Sequence, residues 1–320
     1  MSFFKNWLPK MPRQELEPLN VSRAYQCKNR FAMLGTIGSG KSTINGLLWL
    51  TAQTKNCDEP NFRCRILENL SNIRDDASKL RDGHFPPKTI PYNNFASEAG
   101  LLLSEKSMIG EKTIQVPVCD AAGEDLIRLI QQVVYNNDLS REMFSASRKI
   151  VDYVLRSDGY IIALPASRAK LGGGAQLEKE AGDNLSEDPD VNLSRILETV
   201  LAYKEKNKGN KIKGIAIMIT KWDLVEPIIA RKGIDITNQQ GLKEFMDLYF
   251  PDTSTQMKAV GLHNVRFFPS FVELEYNELG DGERWPDGTF KIKVNNDKRK
   301  PSYAEQSYMD LLNYLLSFAK

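Results

Sequence analysis

Gly35-Thr36-Ile37-Gly38-Ser39-Gly40-Lys41-Ser42-Thr43 decides how the rest of the chain is read. The apolar run Phe31-Ala32-Met33-Leu34 precedes it, and Ile44-Asn45-Gly46-Leu47-Leu48-Trp49-Leu50 follows. The order is strand, glycine-rich loop, helix, and the loop satisfies G-x-x-x-x-G-K-[ST] at every fixed position. Such a loop captures anions. Its successive N–H groups, and those of the helix N-terminus behind it, point at phosphate oxygens, and the helix dipole adds to the attraction. Gly38 and Gly40 let the backbone approach closely and take angles that a side chain forbids. Lys41 supplies a point charge for the outer phosphates, and the Ser42 hydroxyl suits a Mg²⁺ ion. The residues expected to contact the ligand here are Gly35, Ile37, Gly38, Ser39, Gly40, Lys41, Ser42 and Thr43.

Composition bounds the surroundings of this loop. The 320 residues are 41% hydrophobic and 26% charged, as in a globular protein with a large core. A net charge of +2 gives no field that argues for nucleic acid. The four cysteines (Cys27, Cys57, Cys64, Cys119) contain no CxxC pair, and His84 and His263 are the two histidines. That usage argues against a zinc site or a disulfide scaffold and for reduced thiols in a cytoplasmic compartment. No stretch reaches the roughly 18 apolar residues of a membrane span. The N-terminal Met1-Ser2-Phe3-Phe4-Lys5-Asn6-Trp7-Leu8-Pro9 is apolar but lacks a signal-peptide core. It reads as a tail or a strip packed on the domain, with weak membrane or partner contact as the alternative.

Along the chain, residues 1–28 carry Pro9, Pro12 and Pro18 and read as an extension. A strand is expected at 30–34 and a helix from Lys41 to about Thr54. Cys57–Arg65 reads as a loop, and Ile66–Leu80 shows helical spacing. Arg81-Asp82-Gly83-His84-Phe85-Pro86-Pro87-Lys88-Thr89-Ile90-Pro91 reads as a loop shaped by its prolines. Strands follow at about 98–105 and 113–119, joined near Gly110, and helices at 125–136 and 140–155. Gly159–Pro165 and Ile212–Thr220 are continuous apolar runs, the signature of strands buried on both faces. Between them, Lys170–Pro189 reads as a flexible insertion and Val191–Lys206 as an amphipathic helix. Helix 241–250, strand 265–270, a loop-rich stretch 278–300 and helix 304–319 complete the chain. The basic residues Lys291, Lys293, Lys298, Arg299 and Lys300 read as the solvated tail of a hairpin rather than a phosphate site. Alternating strands and helices predict an α/β fold of three layers, a mostly parallel sheet with helices on both faces. Residues 29–320 are expected to form one domain, with an insertion at about 169–190 and an enlarged segment at 55–95. In such a sheet, ligands sit beyond the carboxyl ends of the strands.

Two further strand ends carry chemistry. Asp120 closes an apolar strand three residues before Gly123. A carboxylate there can hold Mg²⁺ opposite Ser42, and the Gly123 N–H can meet a γ-phosphate, with a helix N-cap as the plainer role for the aspartate. Thr220-Lys221-Trp222-Asp223 follows the second buried strand. A carboxylate at Asp223 can accept from both the N1–H and the exocyclic amine of guanine. Adenine carries an acceptor at N1 and would leave it unpaired, so the residue selects GTP over ATP. The Lys221 stem can lie along the base.

Together, Gly35–Ser42, Asp120–Gly123 and Thr220–Asp223 resemble the first, third and fourth motifs of the Ras-like, translation-factor-related GTPases. The Asp82–Thr89 stretch, Asp120-Ala121-Ala122-Gly123-Glu124 and the long extra segments are similar to the double-GTPase group, large prokaryotic Ras-like domains. The resemblance implies GTP/GDP and Mg²⁺ as ligands and partner-dependent GTP hydrolysis, which the departure at Glu124 is expected to make slow. It also implies a protein effector and a switch formed by loops 81–91 and 120–126. It implies a γ-phosphate-sensing, Mg²⁺-binding threonine, for which Thr89 fits and Thr113 is the alternative. It implies a base-contacting loop after the strand ending near Phe268, where Ser270 is the candidate although Pro269-Ser270-Phe271 departs from Ser-Ala-Lys. The interval from Lys41 to Asp120 is longer than in a minimal small GTPase. Glu124 stands where many relatives have a water-positioning glutamine, and its charge opposes the γ-phosphate. Ile37 stands where glycine is common and would crowd an arginine finger, while Arg81 reads as a surface residue before it reads as a finger in cis. Two other classes fit the phosphate loop alone: a P-loop ATPase or kinase, and a nucleotide-locked scaffold without turnover.

Overall fold

The structure, a computed structural model, describes residues 29–36, 38–67, 71–87, 99–108, 110–118, 157–168, 188–206, 211–259, 264–295 and 299–319. Ile37, Thr89, Asp120, Gly123 and Glu124 lie outside them, as do residues 1–28, the helices expected at 125–136 and 140–155, and most of the 169–190 segment.

Four parallel strands form the centre: β1 (Phe31–Gly35), β5 (Gly159–Pro165), β6 (Gly214–Thr220) and β7 (Val265–Pro269), in the order β1-β5-β6-β7. An antiparallel trio, β2 (Phe62–Leu67), β3 (Ala99–Ser107) and β4 (Gly110–Val118), lies alongside in the order β2-β3-β4. A parallel bridge between Arg30 and Gln115 joins the two, and the Gln115 N–H donates to the Asn29 carbonyl at 2.9 Å. The seven strands therefore read β2-β3-β4-β1-β5-β6-β7.

The continuous apolar runs divide by alternation, because successive side chains of a strand point to opposite faces. Phe31, Met33, Ile161, Ala163, Ala216 and Met218 face one core, shared with α1 (Lys41–Asp58), α2 (Ser71–Arg81) and α7 (Glu305–Leu316). Ala32, Leu34, Tyr160, Ile162, Ile217 and Ile219 face the other. That second core is closed by α3 (Pro189–Lys206), α4 (Glu226–Arg231), α5 (Gln239–Tyr249) and α6 (Pro251–Ala259). This is the expected three-layer α/β arrangement. The free edge of β7 is covered by one side chain: Gln239 donates to the Phe267 carbonyl at 2.7 Å and accepts from its N–H at 2.8 Å. An edge blunted in this way offers fewer open groups to another strand.

Several elements differ from the sequence expectation. Residues 62–67 are strand β2, not loop, and α2 starts at Ser71 rather than at Ile66. Phe62 is buried and Cys64 and Ile66 are partly so, while Arg63 and Arg65 are exposed, which is strand alternation. Burial pushes the Cys64 thiol up to about 12. Helix α1 runs on to Asp58, and α3 begins at Pro189, inside the stretch expected to be a flexible insertion. Arg81 is helical and exposed, and the helix stops in a Schellman arrangement: His84 N–H donates to the Lys79 carbonyl and Gly83 N–H to the Leu80 carbonyl.

The described residues 273–295 and 299–302 are more ordered than a loop. Two closed rings of three backbone hydrogen bonds stack there, one through Glu273, Ser302 and Lys293, the other through Glu275, Lys291 and Glu283. The short strands β8 (Val294–Asn295) and β9 (Lys300–Pro301) lie within this stretch. Lys291 pairs with Glu283 at 2.8 Å, Lys293 with Glu273 at 3.0 Å, and Lys300 with Glu305. The unit docks on the end of α2. The Gly83 carbonyl accepts from Ile292 N at 2.9 Å and Trp285 Nε1 at 3.1 Å, and the His84 ring stacks on Trp285 at 4.1 Å. Gly83 has φ 80°, and a Cβ there would lie 3.2 Å from the Ile292 carbonyl. Gly83→Ala is therefore expected to destabilise the protein by about 1–2 kcal/mol, read as a lower urea midpoint at unchanged slope.

Candidate functional site

The parallel register brings the carboxyl ends of β1, β5, β6 and β7 to one edge. Gly35 pairs with Ala163, Pro165 with Thr220, and Ile219 with Pro269. The glycine-rich loop leaves β1 at that edge. Gly38 and Gly40 have φ 65° and 85°, the left-handed region that side chains rarely enter. At Gly35 a Cβ would stand 2.5 Å from Ser39 Oγ and 2.9 Å from the Ala163 carbonyl, so the turn closes only over a glycine.

Helix α1 starts straight out of the loop. Its N-cap, Gly40, brings no side-chain hydrogen bond, and the first turn holds no acidic residue. A helix start with neither device offers its amides and its dipole to an outside anion. Lys41 Nζ donates to the Gly35 and Thr36 carbonyls at 3.0 Å each, which folds the ammonium back over the loop. Lys41, Ser42 and Thr43 are partly exposed, Gly38 is exposed, and Ser39 is fully buried. The donor set suits a phosphate chain with a Mg²⁺ ion: N-terminal amides and an ammonium for the anion, and a serine hydroxyl at the helix start for the metal.

The loop after β6 is tied to this one. Thr220 Oγ1 lies 2.9 Å from the Ser39 carbonyl and 3.3 Å from the Leu164 carbonyl, and donates between them. The contact spans 181 residues of sequence and sits at a residue 6% exposed. Next, Lys221 has φ 55°, an uncommon angle for a residue with a side chain. Trp222 then buries its indole edge-on against Phe245, 5.1 Å between ring centres, and a short 3-10 turn holds residues 222–224. With its neighbours fixed so, Asp223 is carried on a rigid turn and stays partly exposed.

Ser270 belongs to the same edge but is buried, at 4% exposure. Its N–H donates to the Ile219 carbonyl at 2.8 Å, its carbonyl accepts from Trp222 N at 3.1 Å, and its hydroxyl pairs with Tyr308 OH at 2.8 Å. Ser270 thus joins the turn after β7 to the turn after β6. Thr113 is placed elsewhere: it pairs with Ser104, on the hairpin side of Gln115, which sits beside Arg30 at the start of β1. That is the end of the sheet away from the glycine-rich loop, so Thr113 cannot serve as a γ-phosphate sensor. Strand β4 runs parallel to β1 and ends at Val118, toward the site.

Thr220 and Trp222, which carry no role in the sequence expectation, are the residues that fix this turn. Their position in the Thr-Lys-Trp-Asp run was the signal. That Thr220 would reach Ser39 depends on β6 lying two strands from β1.

A glycine-rich phosphate loop on β1 of a three-layer sheet, bonded to a Thr-Lys-Trp-Asp turn on β6, defines a P-loop protein of the GTPase class. Residues 32–232, more than half of the chain, match the family model described as Double-GTPase 1, and the chain belongs to that family. No protein of curated function matches it. Among the described residues, no helix is long and apolar enough to cross a membrane.

Removal of the Thr220 hydroxyl by Thr220→Val leaves the Ser39 carbonyl short of a buried partner. The expected cost is about 1–3 kcal/mol, with weaker nucleotide binding, measured by calorimetric titration and thermal unfolding of the same variant.

Proposed function

We propose that this protein is a Mg²⁺-dependent guanine-nucleotide switch that hydrolyses GTP slowly. The observation that carries the reading is the 2.9 Å hydrogen bond from Thr220 Oγ1 to the Ser39 carbonyl. It makes one site of the loop that suits phosphates and the turn that carries Asp223. A phosphate loop alone would serve an ATPase or kinase equally well. The adjoining carboxylate favours a base with two neighbouring donors, as guanine has.

In this reading the amides of 38–43 and Lys41 hold the phosphate chain, and Asp223 accepts from the guanine edge with Lys221 along the base. Ser270 holds the base-side loop. Ser42, Asp120 and Thr89 would hold Mg²⁺, which neutralises charge on the β- and γ-phosphates. Asp120 follows the end of β4 by two residues, and the Gly123 N–H is assigned to the γ-phosphate. Glu124 accepts a proton from the attacking water but repels the phosphate, which is the reason for slow turnover. Residues 81–91 and 120–126 change order with the nucleotide and present it to a protein effector. Within the first of these, Arg81–His84 is held by α2 and the 273–302 unit, so the movement belongs to residues beyond His84. The cytoplasm is the proposed compartment, with the N-terminal residues 1–28 as the part to contact a membrane or partner.

Nucleotides test the reading directly. At a free concentration 100 times Kd, GDP or GTP should stabilise the fold by about 2.7 kcal/mol, and ATP should not. Equal protection by ATP and GTP would overturn it. Asp223→Asn should move preference from guanine to xanthine nucleotides, read by competition with a fluorescent nucleotide, and an unmoved preference refutes the role of Asp223. Lys41→Ala should weaken GDP and GTP alike, by about 10- to 100-fold as for other charge-assisted contacts.

A further inference from the structure

Two buried tyrosines near the C-terminus carry hydroxyls that the function above does not use. Tyr303 and Tyr308 are 9% and 0% exposed, and their rings meet edge-on at 5.5 Å. Their hydroxyls go to different elements. Tyr303 OH lies 2.7 Å from Thr51 Oγ1 in α1, whereas Tyr308 OH lies 2.8 Å from Ser270 Oγ. Thr51 gives its own hydrogen to the Leu47 carbonyl at 2.9 Å, so Tyr303 donates to Thr51. Burial pushes both phenols up from their ordinary value, so both stay protonated at any physiological pH.

Ser270 has every polar group engaged. Ile219 takes its N–H, Trp222 binds its carbonyl, and Tyr308 binds its hydroxyl. Trp222 is the residue before Asp223. A continuous series of hydrogen bonds therefore runs from α7 through Ser270 to the turn that carries the carboxylate. Tyr308 is the member of that series contributed from outside the strand ends.

We propose that Tyr308 is a positioning residue for base recognition, holding Ser270, and through its carbonyl the Trp222–Asp223 turn, in register with the edge of the base. The inference rests on the reading of Asp223 given above. A buried hydroxyl deprived of its partner is costly, and the chain around it shifts to recover one. Recognition through two parallel hydrogen bonds is sensitive to such a shift, because both must stay aligned at once. α7 thereby acts on specificity without touching the nucleotide.

The test compares GDP with inosine diphosphate, whose base keeps N1–H but lacks the exocyclic amine. The unaltered protein is expected to prefer GDP by about 10- to 100-fold, the worth of one hydrogen bond to a charged group. Tyr308→Phe should narrow that ratio by about fivefold or more. Tyr303→Phe, which removes a buried hydroxyl bonded to α1 instead, should lower thermal stability and leave the ratio alone. A Tyr308→Phe protein that keeps the original ratio overturns the proposal, as does a Tyr303→Phe protein that loses it to the same degree. Should Tyr308→Phe fail to fold, the Tyr308→Phe/Ser270→Ala double variant removes both partners of the bond. Its ratio should equal that of Ser270→Ala alone, and any further loss overturns the proposal. If the unaltered protein shows no preference for guanine nucleotides over ATP, the reading of Asp223 fails and this inference falls with it. A guanine preference that Tyr308→Phe leaves intact defeats only the inference.

Discussion

A single threonine hydroxyl holds the candidate site together. Thr220 stands at the end of β6 and donates between the Ser39 and Leu164 carbonyls. Those carbonyls belong to the turns after β1 and at the end of β5, so three of the four parallel strands meet on one proton donor. In a buried setting such a bond is electrostatically strong, and the cost of leaving its acceptors unpaired keeps the geometry narrow. The left-handed Lys221 and the buried Trp222 continue from that fixed point, and Asp223 inherits its position from them.

Around this centre the protein uses its C-terminal residues from 273 onward as a brace. The rings of backbone hydrogen bonds at 273–302 make a small rigid unit without a long strand. One side grips Gly83 and His84 at the end of α2, and its last residues lead into α7. Tyr303 then ties to α1, the helix that starts at the phosphate loop, and Tyr308 ties to Ser270. The same segment touches the end of α2, the helix α1 that starts at the glycine-rich loop, and, through Ser270, the turn after β6. That placement relates the enlarged parts of the chain to the site instead of leaving them as decoration.

Much of the fold was legible because burial on both faces writes itself as uninterrupted apolar sequence. The apolar runs at 30–34, Gly159–Pro165 and Ile212–Thr220 read as central strands, and the sheet holds β1, β5 and β6 there. Strand β2 was legible only in part. Phe62-Arg63-Cys64-Arg65-Ile66 alternates with a period of two, but Ile66, Leu67 and Leu70 continue at a spacing that also suits a helix. Pairing with β3, through Phe62↔Glu105 to Leu67↔Gly100, carries the strand through Leu67. The 273–302 unit was hidden for a related reason: its glycines and prolines mark turns, but its hydrogen bonds join three separate pieces of chain.

The sequence by itself determined the phosphate loop, because the spacing of glycine, lysine and serine is a local requirement of backbone geometry and charge. It also determined the layer order, through the periods of its apolar residues, and it placed Asp223 three residues after the end of β6. Tertiary structure alone decided what those motifs become together. Thr220 reaches Ser39 only when β5 lies between β1 and β6, and Thr113 is excluded from the site only by the register of β4 against β1. Ser270 gains its anchor from α7, which follows it in sequence by 35 residues and meets it only after the sheet is covered. Contacts of this kind depend on which strands are neighbours, and no local pattern of residues encodes that.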